Sequence, residues 1–244
     1  MDEQFLRTEM MLGEAAMDRL CRAHVAVFGI GGVGGYAAEA LARAGVGKIT
    51  LIDHDTVSKT NLNRQVAALH STLGMPKVEA MAQRIRDIWP NGQVIARMES
   101  YQAACRDAFF EEPYDYIIDA IDLVSCKLDL IETALSKGLP IISALGTGNK
   151  VDASRLRVAD IQETSGCPLA RVVRKELRKR GIIHHKVVFS PELPRKTQQR
   201  ETPPPGRRSI PASVPWVPAC AGFLLAGAVI MEIAGGISAI NLLS

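Results

Sequence analysis

A glycine-rich turn near the N-terminus is the first feature of the sequence that could do chemistry. Residues 29–34 follow an apolar run, precede a helical pattern and contain Gly29, Gly31, Gly32 and Gly34. This GxGxxG spacing allows close backbone approach, and the helix that follows offers free N–H groups to phosphate. Asp53 ends the next apolar run, where a carboxylate accepts ribose hydroxyls. A nucleotide site is predicted, and these residues alone favour a nicotinamide dehydrogenase.

Polar and basic residues that follow Asp53 change this interpretation. They are Asp55, Asn61, Asn63, Arg64, Gln65 and Lys77. Arg64 and Lys77 would place two cations beside a triphosphate, as phosphoryl or nucleotidyl chemistry requires. The inner pyrophosphate of a dinucleotide has no such need. The alternative for either residue is a solvated surface charge.

A carboxylate pair at 119–122 completes the candidate site. Asp119 and Asp122 come at the end of the predicted fourth strand, and ligands bind above the carboxyl ends of parallel strands. Asp122 is placed to hold Mg²⁺, which prefers carboxylate oxygens. Asp119 could equally cap the turn that follows. Lys127 lies a helical turn further and faces either the site or solvent.

Apolar runs and helical patterns must position these residues. Strands are predicted at 25–28, 48–52, 93–98, 116–119, 139–145, 155–161 and 186–189. Helices are predicted at about 33–44, 75–88, 128–136, 169–180 and 219–233. Short apolar strands with helical crossovers predict an α/β fold with a mostly parallel sheet covered on both faces. We expect one domain over 1–244, with a nucleotide half at about 20–150, a substrate half at about 151–244 and a mobile loop at about 195–215.

Composition narrows the class of protein. The 244 residues are 47% hydrophobic, enough to bury a full core. The five cysteines form no CxxC pair, which argues against zinc and a disulfide framework and predicts a reducing, cytoplasmic setting. The N-terminus lacks the basic start and apolar run of a secretory signal. The apolar stretch 219–233 is shorter than a membrane span requires, so we expect a buried helix and no membrane partner.

Basic residues concentrate in the C-terminal half. The predicted helix there carries Arg171, Arg174, Lys175, Arg178, Lys179 and Arg180. The Pro-rich segment after it carries Arg195, Lys196, Arg200, Arg207 and Arg208. Such local clusters fit phosphate contacts along RNA, although a net charge of +3 does not by itself indicate nucleic acid. A solvated helix face is the alternative, and the Pro-rich segment reaches no aromatic side chain for base stacking until Trp216.

Together these motifs resemble the ubiquitin-activating E1-like superfamily. The matching pieces are GIGGVG at 29–34, Asp53, NLNRQ at 61–65, Lys77 and DAID at 119–122. The resemblance implies a Rossmann-like adenylation fold whose parallel sheet is continued by antiparallel strands. It implies that Asp53 binds ribose, that Arg64 and Lys77 hold the phosphates of ATP, and that Asp122 binds Mg²⁺ and is essential for adenylation. Arg7 resembles the arginine that this family lends to its dimer partner's ATP, which implies a homodimer.

Within the superfamily the chain resembles in particular the tRNA threonylcarbamoyladenosine dehydratase group. The matching runs are RTEMMLGEAAMDRL at 7–20, DAIDLVSCK at 119–127, CPLARVVRKELRKRG at 167–181 and VVFSPELPRK at 187–196. The resemblance implies ATP-dependent activation of a carboxylate on a modified adenosine of tRNA, followed by ring closure with net loss of water. The alternative is adenylation of the C-terminal glycine of a ubiquitin-like sulfur carrier. Enzymes of that branch typically carry CxxC pairs, which this sequence lacks.

Several assignments stay open at this point. Relatives in this group can carry a cysteine in their C-terminal part, so Cys220 is a candidate acyl acceptor, although a small core residue is the commoner role. A monovalent cation could join ATP and Mg²⁺. A cysteine desulfurase and a sulfur acceptor could be partners besides tRNA. A nucleotide-dependent scaffold without chemistry is a third hypothesis, against which Arg64, Lys77 and Asp122 argue.

Overall fold

The computed structural model describes residues 2–198 and 210–235. Its strands are β1 His24–Phe28, β2 Lys48–Ile52, β3 Gln93–Arg97, β4 Tyr116–Asp119, β5 Ile141–Ala144, β6 Arg157–Asp160 and β7 Lys186–Phe189. Its α-helices are α1 Leu6–Leu12, α2 Glu14–Arg22, α3 Gly34–Arg43, α4 Lys77–Ile88, α5 Val124–Ser136, α6 Pro168–Lys179 and α7 Trp216–Ile233. Each predicted strand and helix is therefore present, with shifts at several ends.

The strands form one seven-stranded sheet in the order β3-β2-β1-β4-β5-β7-β6. Neighbouring strands are parallel except β6, which runs antiparallel to β7. The predicted α/β fold class is confirmed, and β6 is the one antiparallel strand among the described residues. Strand β1 pairs with β2 on one side and with β4 on the other. The chain passes from β1 to β2 and β3 on one side and then crosses to β4 on the other side of β1. Such a switch point opens a crevice at the carboxyl ends of the strands.

Helices cover both faces of the sheet, so its central strand is buried on both sides. Val25 and Val27 of β1 belong to a core cluster that also contains residues of α2, α3, α4 and α7. Ala26 and Phe28 of β1 belong to a second cluster that contains residues of α5 and α6. Alternate side chains of one strand thus fill two cores. This explains why the central strands read as continuous apolar runs in the sequence.

Helix α7 is longer than the sequence analysis predicted. It begins at Trp216 and has 18 residues with a mean hydropathy of 1.8, so by length and composition alone it could cross a membrane. The prediction that this segment is too short for a span is therefore wrong. In the structure 44% of the helix is buried, and Ala221, Leu225 and Val229 are fully covered in the first core cluster. An apolar core helix passes the same length test, and its packing supports that interpretation.

Two glycines of α7 have opposite surroundings. A Cβ at Gly222 would lie 2.4 Å from the backbone oxygen of Val33 and 2.9 Å from Cβ of Tyr36, so only glycine lets α7 approach α3 this closely. Gly227 is exposed on the same helix, and a Cβ there would meet nothing within 4 Å. The pair separates the effect of helix propensity from the effect of close packing.

We predict that Gly222→Ala lowers the free energy of unfolding by about 1–3 kcal/mol, because the added methyl group must push the two helices apart. Gly227→Ala is the matched control and should raise it by about 0.5–1 kcal/mol, as alanine does in an exposed helix. Urea unfolding followed by circular dichroism measures both. Equal stabilisation by the two substitutions would show that the helix contact has no steric requirement for glycine.

A group of polar side chains lies buried beneath the carboxyl ends of β4 and β5. Asp119 and Lys127 form an ion pair at 2.6 Å, and neither side chain has any exposed surface. Ser143 stands opposite Asp119 in the β4–β5 register and hydrogen-bonds Nε2 of His185 at 2.8 Å. Burial, and then the charges of Lys127 and Lys186, lower the pKa of His185 to about 3. The imidazole is therefore neutral in the folded protein near neutral pH.

The buried imidazole predicts a specific loss of stability in acid. The pKa of His185 is lower in the folded protein than the ordinary value of 6.5, so the unfolded chain binds the extra proton. The contribution of the neutral imidazole to the free energy of unfolding is complete above about pH 6.5. It is lost at about 1.4 kcal/mol per pH unit as the pH falls towards about 3. Comparing the free energy of unfolding of the wild type and His185→Gln between pH 7 and 5 measures it. A variant with an undiminished slope would contradict the assignment.

Candidate active site

The glycine turn between β1 and α3 has glycine for two different reasons. Gly29 has a φ of 90°, and a Cβ there would lie 2.7 Å from the backbone oxygen of Ala120. A Cβ at Gly34 would lie 1.8 Å from the oxygen of Gly29, so these two glycines allow the turn to close. A Cβ at Gly31 would have only Nε2 of Gln65 within 4 Å, at 3.9 Å. The middle of the turn is therefore the part that has room for a ligand.

Asp53 is held directly against this turn. Its Oδ2 accepts a hydrogen bond of 2.6 Å from the backbone N–H of Ile30, and its Oδ1 accepts one of 2.8 Å from that of Asp55. The carboxylate therefore stands at the end of β2 beside the first residues of the turn. This is the position from which a carboxylate reaches the ribose of a nucleotide whose phosphates lie on the turn.

Arg64 lies on the other side of the turn and is half-buried. Its Nη1 donates to the backbone oxygen of Thr60 at 2.9 Å and to Oδ1 of Asn63 at 2.8 Å. A Cβ at Gly32 would lie 3.4 Å from Cγ of Arg64. Burial lowers the pKa of Arg64, and no carboxylate of residues 2–198 or 210–235 forms an ion pair with it. A partly desolvated cation of this kind favours an anionic ligand.

Lys77 is the first residue of α4 and is oriented by Asp55. Its Nζ lies 2.6 Å from Oδ2 of Asp55, and its backbone N–H donates to the oxygen of the same residue at 3.0 Å. The lysine side chain is 8% exposed and the aspartate side chain 54% exposed. Asp55 thus holds the ammonium group at the site, and a ligand phosphate would compete with it for that group.

The amides of the 61–65 segment have mainly structural contacts. Asn61 is buried, and its Oδ1 accepts from the backbone N–H of Ser58 at 3.0 Å, closing a capping box. Asn63 donates through Nδ2 to the backbone oxygen of Ser213 at 3.1 Å. Gln65 is buried beside Gly31. Their direct contact with a nucleotide stays a prediction, while their support of the loop is seen.

The two carboxylates of the 119–122 segment have different surroundings. Asp119 is fully buried, accepts from the backbone N–H of Ile121 at 3.0 Å and pairs with Lys127. Asp119 therefore caps the turn that follows it, which is one of the two roles that the sequence predicts for it. Asp122 is exposed on the same loop, next to the glycine turn that Ala120 touches. Lys127 faces neither the site nor solvent, so its effect on a nucleotide would pass through Asp119.

The structure adds His54, which the sequence analysis did not name. Asp53, His54 and Asp55 each place a possible ligand atom within 4.8 Å of the others. The carboxylates match the preference of Mg²⁺ for oxygen, as does Asp122. Exposed acidic groups are common without a metal, and this geometry alone assigns none. An isolated histidine in a polar run gave no sequence signal for such a group.

Arg7 lies away from this site within one chain, and Cys220 is part of the packing of α7. Arg7 is exposed on α1, two residues after Phe5, whose ring packs on Trp89 behind the end of α4 with centroids 5.1 Å apart. The end of α4 lies at the amino edge of the parallel sheet, opposite the glycine turn. Cys220 is partly buried and packs against the first core cluster. The core environment favours the packing role for this thiol.

The basic cluster on α6 is less uniform than its sequence suggests. Nη1 of Arg174 donates to both oxygens of Thr164, the backbone oxygen at 2.6 Å and Oγ1 at 2.5 Å. Arg178 donates to Gln162, and Lys179 pairs with Glu176. These side chains are partly committed to internal contacts, Arg174 above all.

The remaining predicted RNA contacts are more open. Arg171, Lys175 and Lys196 are exposed and form no ion pair among the described residues. Arg195 is exposed, with Glu192 4.0 Å away. Arg200, Arg207, Arg208 and most of the predicted loop at 195–215 lie outside the described residues. The free cations therefore stand on α6 and just after Pro194.

Comparison with known proteins gives one consistent relationship. The family model described as "ThiF family" matches residues 4–243. The tRNA threonylcarbamoyladenosine dehydratase of Bacillus subtilis is 42% identical over 239 residues, covering 94% of each chain. Crystal structures of the Escherichia coli tRNA N6-threonylcarbamoyladenosine dehydratase in complex with AMP and with ATP superpose with TM-scores of 0.87 and 0.86. Both are 34% identical to this chain and cover 96% of it and 94% of their own length. The chain therefore belongs to the ThiF family.

Proposed function

We propose that this protein is an ATP-dependent tRNA threonylcarbamoyladenosine dehydratase. The observation that carries the proposal is the glycine turn at the β1–β4 switch point, where Arg64 lies beside Gly32 and the 119–122 loop packs on Gly29. The chain matches dehydratases over nearly its full length, and a solved relative is a complex with ATP. The sequence has no CxxC pair, and this absence argues against the sulfur-carrier alternative.

The proposed reaction proceeds in two steps. The threonyl carboxylate of the modified adenosine attacks the α-phosphate of ATP, which gives an acyl-adenylate and expels pyrophosphate. A nitrogen of the carbamoyl group then attacks the activated carbonyl, closes a ring and expels AMP. The sum is ATP cleaved to AMP and pyrophosphate and one water lost from the nucleoside. Adenylation is needed because a carboxylate oxygen is otherwise a poor leaving group.

Residues of the site have distinct tasks in this reaction. The backbone N–H groups of the glycine turn and α3 receive phosphate, and Asp53 receives the ribose. Arg64 and Lys77 neutralise the charge that develops on the phosphates. Asp122 and the carboxylates beside Lys77 have the oxygen ligands that suit Mg²⁺, which would stabilise the charge of the departing pyrophosphate. Substrate tRNA would lie over the cations of α6 and of the segment after Pro194.

We also propose that the protein acts as a homodimer. Helix α1 exposes Leu6, Met10 and Met11 by 53%, 79% and 84%, an apolar group that a second copy would cover. Arg7 lies among these residues, at the edge of the sheet away from its own chain's glycine turn. Placed by a dimer contact, it would reach the site of the partner and not its own. Localisation in the cytoplasm and a sulfur-transfer partner stay predictions.

We predict that Asp122→Asn lowers the rate of tRNA conversion by about a hundredfold or more, since it removes a carboxylate proposed to bind the Mg²⁺ that stabilises the charge on the phosphates. Asp18→Asn is the matched control, because Asp18 is an exposed aspartate of α2 far from the glycine turn. Mass spectrometry of nucleosides, after treatment of modified tRNA with protein, ATP and Mg²⁺, follows the loss of one water.

Two outcomes of this assay would contradict the proposal in different ways. Full conversion by Asp122→Asn would remove Asp122 from the reaction. No conversion by the wild type, together with pyrophosphate exchange stimulated by a ubiquitin-like carrier protein, would favour the alternative function.

The shared site predicts complementation between two inactive variants. Mixing Arg7→Ala with Asp122→Asn subunits gives mixed dimers in which one site combines an intact Asp122 with an intact Arg7. Random mixing should restore roughly a quarter of wild-type conversion, because half the dimers are mixed and each has one active site. If Arg7 served its own chain, no mixed dimer would contain an intact site and activity would stay absent.

A further inference from the structure

Asn149 fastens two separate segments of the chain together at the carboxyl edge of the sheet. Its backbone N–H donates to the oxygen of Ala212 at 2.8 Å, and its Oδ1 accepts from the N–H of Ala212 at 2.7 Å. Its own backbone oxygen accepts from the N–H of Arg195 at 2.8 Å. Asn149 has a φ of 59°, a left-handed conformation that asparagine adopts more readily than most residues.

These hydrogen bonds bring an exposed aromatic ring beside exposed cations. Trp216 begins α7 and is 50% exposed, although its Nε1 donates to the backbone oxygen of Val151 at 2.7 Å. The indole is therefore fixed in orientation while a large part of its surface faces solvent. Arg195, whose backbone N–H bonds Asn149, and the next residue, Lys196, are both exposed on the other segment. An aromatic ring with neighbouring cations is what single-stranded nucleic acid requires, a stacking surface with phosphate contacts.

Residues on both sides of this tryptophan contact the candidate nucleotide site. Ser213, three residues before Trp216, accepts the hydrogen bond of Asn63 at 3.1 Å. Pro218, two residues after it, would lie 3.4 Å from a Cβ at Gly32. Contacts with the glycine turn and with the loop of Arg64 thus bracket the tryptophan. A base stacked on this ring would lie within reach of an ATP whose phosphates occupy the turn.

We propose that Trp216, with Arg195 and Lys196, forms a platform for an unpaired base of the substrate RNA at the entrance of the active site. The proposal rests on the proposed function for the identity of the RNA. The base stacks on the indole, and the two cations contact the flanking phosphates. The platform selects a looped-out nucleoside over a base-paired one, because only an unstacked base presents its face to the ring.

The test compares tRNA and ATP dependence in substituted enzymes. Trp216→Ala should raise the KM for modified tRNA roughly tenfold, while Trp216→Phe keeps an aromatic face and stays within about threefold of the wild type. The affinity for ATP should not change in either variant. Phe223→Ala is the matched control, since Phe223 is also 50% exposed on α7 but packs beside Tyr36, and its KM for tRNA should equal that of the wild type.

Salt dependence separates stacking from charge. Replacing Arg195 and Lys196 together by alanine should flatten the dependence of RNA affinity on salt by about two phosphate contacts, whereas Trp216→Ala should leave that slope intact. The probe is a stem-loop RNA that carries the modified adenosine in its loop, compared with a fully paired duplex of equal length. Fluorescence of Trp216 should be quenched by the stem-loop, and the quenching should be absent in Trp216→Phe, where the buried Trp89 is the only indole left.

Each result decides between named alternatives. A Trp216→Ala enzyme that binds the stem-loop as tightly as Phe223→Ala does would overturn the platform. If Trp216→Ala halves the mass of the protein in sedimentation and leaves the KM for tRNA unchanged, the ring contacts a second copy of the chain instead. If the wild type converts no modified tRNA, the proposed function fails, and the binding of single-stranded RNA by the wild type and Trp216→Ala still tests the platform by itself.

Discussion

One buried ion pair is the constraint on which the geometry of the candidate active site depends. Asp119 ends β4 and Lys127 belongs to α5, and their charged atoms lie 2.6 Å apart with no exposed surface. Two charges withdrawn from water are tolerated only when they face one another and their other hydrogen bonds are satisfied. Asp119 therefore also receives the N–H of Ile121 and fixes the loop that carries Asp122. Because the same loop packs on Gly29, the two halves of the crevice are joined at this point.

The remaining walls of the site come from segments far apart in the chain. The loop of Arg64 is tied to the segment before α7 through Asn63 and Ser213. Helix α7 in turn lies close to α3 because Gly222 has no side chain. The C-terminal helix and the segment before it thus support the glycine turn and the loop of Arg64 by packing and by a hydrogen bond. Its apolar composition, which satisfies the length test for a membrane span, is the consequence of burial against α3 and the sheet.

Charge is distributed by the fold in a way that a count of basic residues does not show. Arg174 hydrogen-bonds Thr164, and Arg180 pairs with Glu132 of the neighbouring helix α5. Both contacts hold α6 in place: the first uses donors of Arg174 that a polyanion would otherwise bind, and the second offsets the charge of Arg180. Arg195, by contrast, is carried to the rim of the site by the backbone contact with Asn149. Among residues 2–198 and 210–235, fewer basic side chains are exposed without an ion pair than the basic run in the sequence suggests.

The sequence by itself determined the strands and the main motifs. Lys48–Ile52, Tyr116–Asp119 and Lys186–Phe189 were predicted at their observed bounds, since each is a short apolar run closed by a polar residue or a turn signal. Only the tertiary structure decided the start of α7, the burial of Lys127 and the role of Asn149. Trp216 and Asn149 have hydrogen-bond partners more than 60 residues away, Val151 and Ala212, which no local pattern encodes. Lys127 is only eight residues from Asp119, but its burial requires β4 and α5 to pack against each other.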